Sequence, residues 1–177
     1  MPNLKPQDLL VALKLVALDG QAWTYAELAS QLEMSVSQLH SAVKRALVSG
    51  LLVDRGGRIV PSRRNLLEFL AHGVRYSFPP ERGSLTRGMP TAHGAKPLSD
   101  QITTSAEPPP VWPTADGAVR GVAFSPIYHL APAAAENDER LYPLLALVDA
   151  VRGGSARERK LAVKLLEECL NRYALST

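Results

Sequence analysis

The residues best supplied for chemistry are basic. Between positions 36 and 76 lie Lys44, Arg45, Arg55, Arg58, Arg63, Arg64 and Arg75 against only Asp54 and Glu68, while the 177-residue chain carries a net charge of +3. A local basic excess on a small unit is the footprint expected for a polyanion ligand. Arg55-Gly56-Gly57-Arg58 is the most specific part, because two guanidiniums flank a turn with no side chain between them, which suits contact with phosphates. Catalytic chemistry is poorly supplied. His40, His72, His93 and His129 are scattered, and none pairs with another at metal-ligand spacing. Cys169, the single cysteine, lies beside Glu167 and Glu168 and reads as a core-edge residue; alone, it excludes an internal disulfide and a multi-cysteine zinc site. An enzyme would need a polar pocket gathering His93, Arg87 or Tyr128. The expectation is a binding protein that is not an enzyme, with no cofactor and no metal.

These residues need elements to position them. Pro6 suits the first turn of a helix over 6–18, with Leu9, Leu10, Leu13, Val16 and Ala17 at helical spacing and Asp19-Gly20 as its stop. Thr24 with Glu27 forms a capping box for a helix over 25–32, and Ser35 with Gln38 forms a second, for a helix reaching about Ser49. The buried stripe of that helix reads as Leu39, Val43 and Leu47, with Val36 at its start. Two short strands, 51–54 and 58–60, then flank Gly56-Gly57, a pair able to supply the positive φ of a tight hairpin. Ser62 caps a helix over 63–72 that Gly73 ends, and Val74 to Phe78 alternates like a strand.

The order helix, helix, short turn, helix, hairpin resembles a winged helix-turn-helix domain of the broad class that includes the MarR-type bacterial regulators. The resemblance covers residues 6–60 and is carried by Tyr25-Ala26-Glu27-Leu28-Ala29-Ser30-Gln31-Leu32, by Glu33-Met34-Ser35, and by Val36 through Leu47. It implies a sequence-specific DNA-binding transcriptional regulator. Helix 36–49 would enter the major groove and the wing, 52–60, would lie on the backbone or minor groove. The residues it assigns to double-stranded DNA are Ser35, Ser37, Gln38, His40, Ser41, Lys44 and Arg45 on the helix, Arg55 and Arg58 on the wing, and Arg63 and Arg64 after it. It also implies a homodimer on two half-sites. One departure is visible: Glu33 stands where such turns often have Gly, and a left-handed conformation there would be strained.

Ten of the 14 prolines lie between 79 and 136, which excludes a helix bundle in that stretch. Phe78, Trp112, Val119, Val122, Phe124, Ile127 and Tyr128 punctuate it, so it is no simple disordered linker; Val119 to Phe124 is a candidate strand and Pro108-Pro109-Pro110 a polyproline II candidate. The stretch 81–93 reads either as a loop binding a small anion or protein partner, or as an extended arm. Asn137 or Asp138 caps a helix to about Val151, Gly153-Gly154 breaks it, and Ser155 with Glu158 opens a last helix to about Tyr173. These two amphipathic helices should form an antiparallel pair, with apolar faces that need the winged helix, a second copy or a partner to cover them.

The expected fold class is therefore α+β, mainly α, divided into a winged helix (1–78), a Pro-rich extended arm or linker (79–136) and a C-terminal helical hairpin (137–177). The alternative function is a protein-interaction module, such as an antitoxin whose arm holds its partner while the winged helix autoregulates the operon. No apolar run approaches membrane-spanning length and the opening Met1-Pro2-Asn3-Leu4-Lys5 has no signal-peptide pattern, so a soluble, cytoplasmic protein is expected.

Overall fold

Pro6 occupies the first turn of α1 (Pro6–Leu18) and Asp19 ends it in the left-handed region, at φ 49°. The computed structural model describes residues 3–103 and 106–172. Both capping boxes are present. Thr24 N–H donates to Glu27 Oε2 and Glu27 N–H to Thr24 Oγ1 at the start of α2 (Tyr25–Gln31). Ser35 N–H donates to Gln38 Oε1 and Gln38 N–H to Ser35 Oγ at the start of α3 (Val36–Val48). The antiparallel hairpin β1 (Leu52–Arg55) and β2 (Arg58–Pro61) follows. Gly56 and Gly57 turn it at φ 65° and 89°, and the Gly57 amide donates to Asp54 Oδ1 at 2.7 Å.

Three expectations fail here, the first being the cap at 62: the Ser62 side chain makes no cap hydrogen bond to the helix it precedes. The stripe of α3 is Leu39, Ala42, Val43 and Ala46, while Val36 is exposed and Leu47 only partly buried. The strand expected at 74–78 is a helical turn, α5 (Val74–Ser77), directly after α4 (Arg63–His72). Gly73 stays in the right-handed region instead of stopping the chain, so the Ser77 amide reaches the Gly73 carbonyl and Val74 is buried.

The proline-rich stretch departs most from expectation. It is no extended arm but a small closed sheet of β3 (Arg82–Pro90), β4 (Pro110–Pro113) and β5 (Val119–Phe124). The long strand β3 runs antiparallel to both others, and β4 and β5 pair in parallel. Closure with so few strands demands close backbone approach. A Cβ at Gly121 would lie 2.0 Å from the Pro109 carbonyl oxygen, and one at Gly88 2.1 Å from that of Trp112. A short helix also follows, α6 (Ala131–Glu136), with Pro132 tolerated in its first turn.

The C-terminal elements are α7 (Leu141–Gly153) and α8 (Ala156–Arg172), with the third capping box formed by Ser155 and Glu158; Tyr173 lies outside the described residues. Their apolar faces are covered within the chain. Helix α7 packs on α1, α5 and α6, and α8 packs on α4 and α7. One hydrophobic cluster runs from Leu9 to Leu170, and α1 is buried all round from Asp8 to Ala17. The architecture is α+β and mainly α, and none of its described helices is long and apolar enough to cross a membrane.

Polar anchors hold the layers in register. Asp149, on α7, is 1% exposed; its Oδ2 accepts from Thr91 Oγ1 and Trp112 Nε1, both at 2.7 Å, and its Oδ1 from Arg152 Nη1 at 2.6 Å. Arg152 in turn donates to the carbonyls of Phe78 and Ser125. Burial, the strongest influence, raises the Asp149 carboxyl above its ordinary value, opposed by the Arg152 charge and the hydrogen bonds.

A second anchor joins Lys14 Nζ of α1 to Asp138 Oδ2 at 2.6 Å, while Asp138 Oδ1 caps α7 by accepting from the Arg140 and Leu141 amides. Burial tends to raise the Asp138 carboxyl, but Lys14 and the two amides prevail and hold it below the ordinary value. A depressed folded pKa adds stability above the unfolded value and loses it as pH falls through the folded one. Wild type should therefore lose stability below about pH 4 more steeply than Asp138→Asn, in urea unfolding followed across pH. Parallel curves would mean the pair adds no acid sensitivity.

Candidate nucleic-acid interface

The turn between α2 and α3 sets the exposure of everything beyond it. Glu33 takes φ 54°, the left-handed geometry that glycine favours, and the Met34 amide reaches back to the Ala29 carbonyl at 2.9 Å. The strained residue thus leaves the turn left-handed, and buried Ala29 and Met34 fix how the helices meet. An aromatic chain braces the same corner. Trp23 meets Tyr25 edge-on, and Tyr25 stacks on His40 at 3.7 Å with the rings 10° apart.

With the buried stripe of α3 turned inward, Ser37, Gln38, His40, Ser41 and Lys44 are exposed. They are not equally available. The Gln38 Oε1 is occupied by the Ser35 amide, and the Ser35 hydroxyl by the Gln38 amide, so both residues first serve as a cap. A bidentate grip on an adenine edge by Gln38 would have to share or break that cap. Tyr25, His40, Ser41 and Lys44 border a shallow hollow of about 310 Å³.

Arg45 is the residue the structure places elsewhere. It turns away from the exposed face and grips Asp8 of α1, with Nη2 to Oδ1 at 2.7 Å and Nε to Oδ2 at 2.9 Å. The Asp8 carboxylate is fully buried and the Arg45 side chain 13% exposed. The Asp8 hydrogen bond, helped by the Asp8 charge, outweighs burial, which lowers it, and raises the Arg45 pKa still further. Its geometry is that of a strut between α1 and α3, not of a groove contact. Sequence reading missed Asp8, whose only signal is a lone acid opening a strongly apolar helix.

The hairpin tip places Arg55 and Arg58 opposite one another, both exposed. Arg58 Nη2 reaches the Gly20 carbonyl, which draws the hairpin toward the end of α1. Arg63 and Arg64 open α4 immediately after β2. The side chains of Lys44, Arg55 and Arg64 make no hydrogen bond or ion pair within the described residues. Of the residues suggested for an enzyme pocket, His93 Nδ1 lies 3.2 Å from Glu158 Oε1, Arg87 is exposed on β3, and Tyr128 lies against His129.

The geometry defines a mainly helical α+β protein with an exposed, basic helix-and-hairpin surface. No family model matches the chain, and no match was found among curated proteins or solved structures.

Proposed function

We propose that this protein is a DNA-binding transcriptional regulator of winged helix-turn-helix type. The exposed face of α3 enters the major groove, and the β1–β2 hairpin lies on the backbone or minor groove. The observation that carries the reading is the set of cations without a hydrogen bond or ion pair among the described residues on one helix face and one hairpin, Lys44 and Arg55, with Arg64 close behind. A protein gains nothing in stability from such groups, whereas a polyanion releases counterions on meeting them. Ser37, Ser41 and Lys44 are the groove-facing residues, and Arg45 positions the helix that carries them. By the same resemblance, two copies read a two-fold site.

The test is an electrophoretic mobility shift against the protein's own promoter region. Combining Arg55→Ala with Arg58→Ala should weaken binding tenfold or more and flatten the logarithmic salt dependence by about two, one for each lost phosphate contact. Equal affinity at two salt concentrations would remove the hairpin from the mechanism.

A further inference from the structure

A groove of about 860 Å³ opens between the end of α1 and the β1–β2 hairpin, beside the proposed DNA surface. That volume falls in the range of small-molecule sites, roughly 300–1,000 Å³. Its lining is chemically lopsided: Arg55, Arg58, Arg63 and Arg64 supply four guanidiniums against the one carboxylate of Asp19, and Trp23 with Tyr25 supplies aromatic surface. Arg58 spans from the hairpin to the Gly20 carbonyl, while Arg55 and Arg64 make no hydrogen bond or ion pair within the described residues. The first turn of α4 also lines the groove, through Ser62, Arg63 and Arg64.

A monocarboxylate needs one guanidinium fork, whereas a phosphate ester dianion uses several. The aromatic wall asks for a planar ring. We infer that this groove binds a free mononucleotide, with its phosphate among Arg55, Arg58 and Arg64 and its base on Trp23. The site stands on the groove alone. If the DNA reading also holds, Arg55 and Arg58 serve both ligands, and the nucleotide competes with the hairpin's phosphate contacts.

Tryptophan fluorescence reads the site directly, because the second tryptophan, Trp112, is 1% exposed and bonded to Asp149. Guanosine 5′-monophosphate, added without DNA, should change the emission saturably, and Trp23→Phe should abolish the change. The pair Arg55→Ala with Arg64→Ala should weaken binding tenfold or more; both side chains are exposed, so a thermal melt should stay near wild type. Ribose 5-phosphate, which lacks the ring, should bind far more weakly. No saturable change, equal binding of ribose 5-phosphate, an undiminished affinity in the double variant, or tighter binding of an oligonucleotide than of the free nucleotide would each overturn the assignment. Because no DNA is present, these outcomes are independent of the mobility-shift result.

Discussion

Asp149→Ala should destabilise the fold by about 3–5 kcal/mol, the usual cost of stranding one member of a buried ion pair. The carboxylate is the hub that three elements share. Without it Arg152 keeps its carbonyl partners but loses its counter-charge, and Thr91 and Trp112 lose their acceptor. Domains of this size have only about 5–15 kcal/mol in hand, so a large share of the total goes. Hydrogen exchange should show the damage first in β4 and β5, because Trp112 holds the small sheet to α7. Urea unfolding measures the total, and a loss below about 1 kcal/mol would show that the cluster is not the anchor.

Arg45→Ala is expected to act on stability and not on DNA contact. Removing the guanidinium leaves Asp8 fully buried with the Lys5 amide as its remaining hydrogen-bond partner, at a cost of about 3 kcal/mol. Lys44→Ala, one residue away on the exposed face, should leave stability nearly unchanged and weaken DNA binding. Urea unfolding and mobility shifts on both variants separate the roles. An Arg45→Ala protein as stable as wild type that no longer binds DNA would return Arg45 to the interface.

The pair also marks the boundary of what sequence can tell. Capping boxes were legible at 24, 35 and 155 because each is closed by residues three apart. The Gly56-Gly57 hairpin was legible for the same reason. Arg45 was misplaced because its partner lies 37 residues upstream, and helical spacing gives a face but not a neighbour. Val74, Tyr76 and Phe78 alternate as a strand would; burial of Val74 within the tertiary core decides for a helix, and no local pattern records that. The small sheet was hidden by prolines that bracket β4, although Gly88, Gly117 and Gly121 all stand where backbones crowd together. Asp149 was the clearer missed signal: an acid inside an otherwise apolar helix, with an arginine three residues on, is rarely there without partners.

The burial of α1 on all sides has a consequence in time. Its first cover, α3, is synthesised within a few dozen residues, but α7 begins only at Leu141. At roughly 5–20 residues per second, the apolar face of α1 that meets α7 waits on the order of ten seconds on the ribosome for its lining. During that interval the nascent chain presents Leu and Val side chains that the finished protein never shows, and a chaperone has its best opportunity there. Slowing translation between residues 80 and 140 should therefore lower the soluble yield more than slowing it after residue 156.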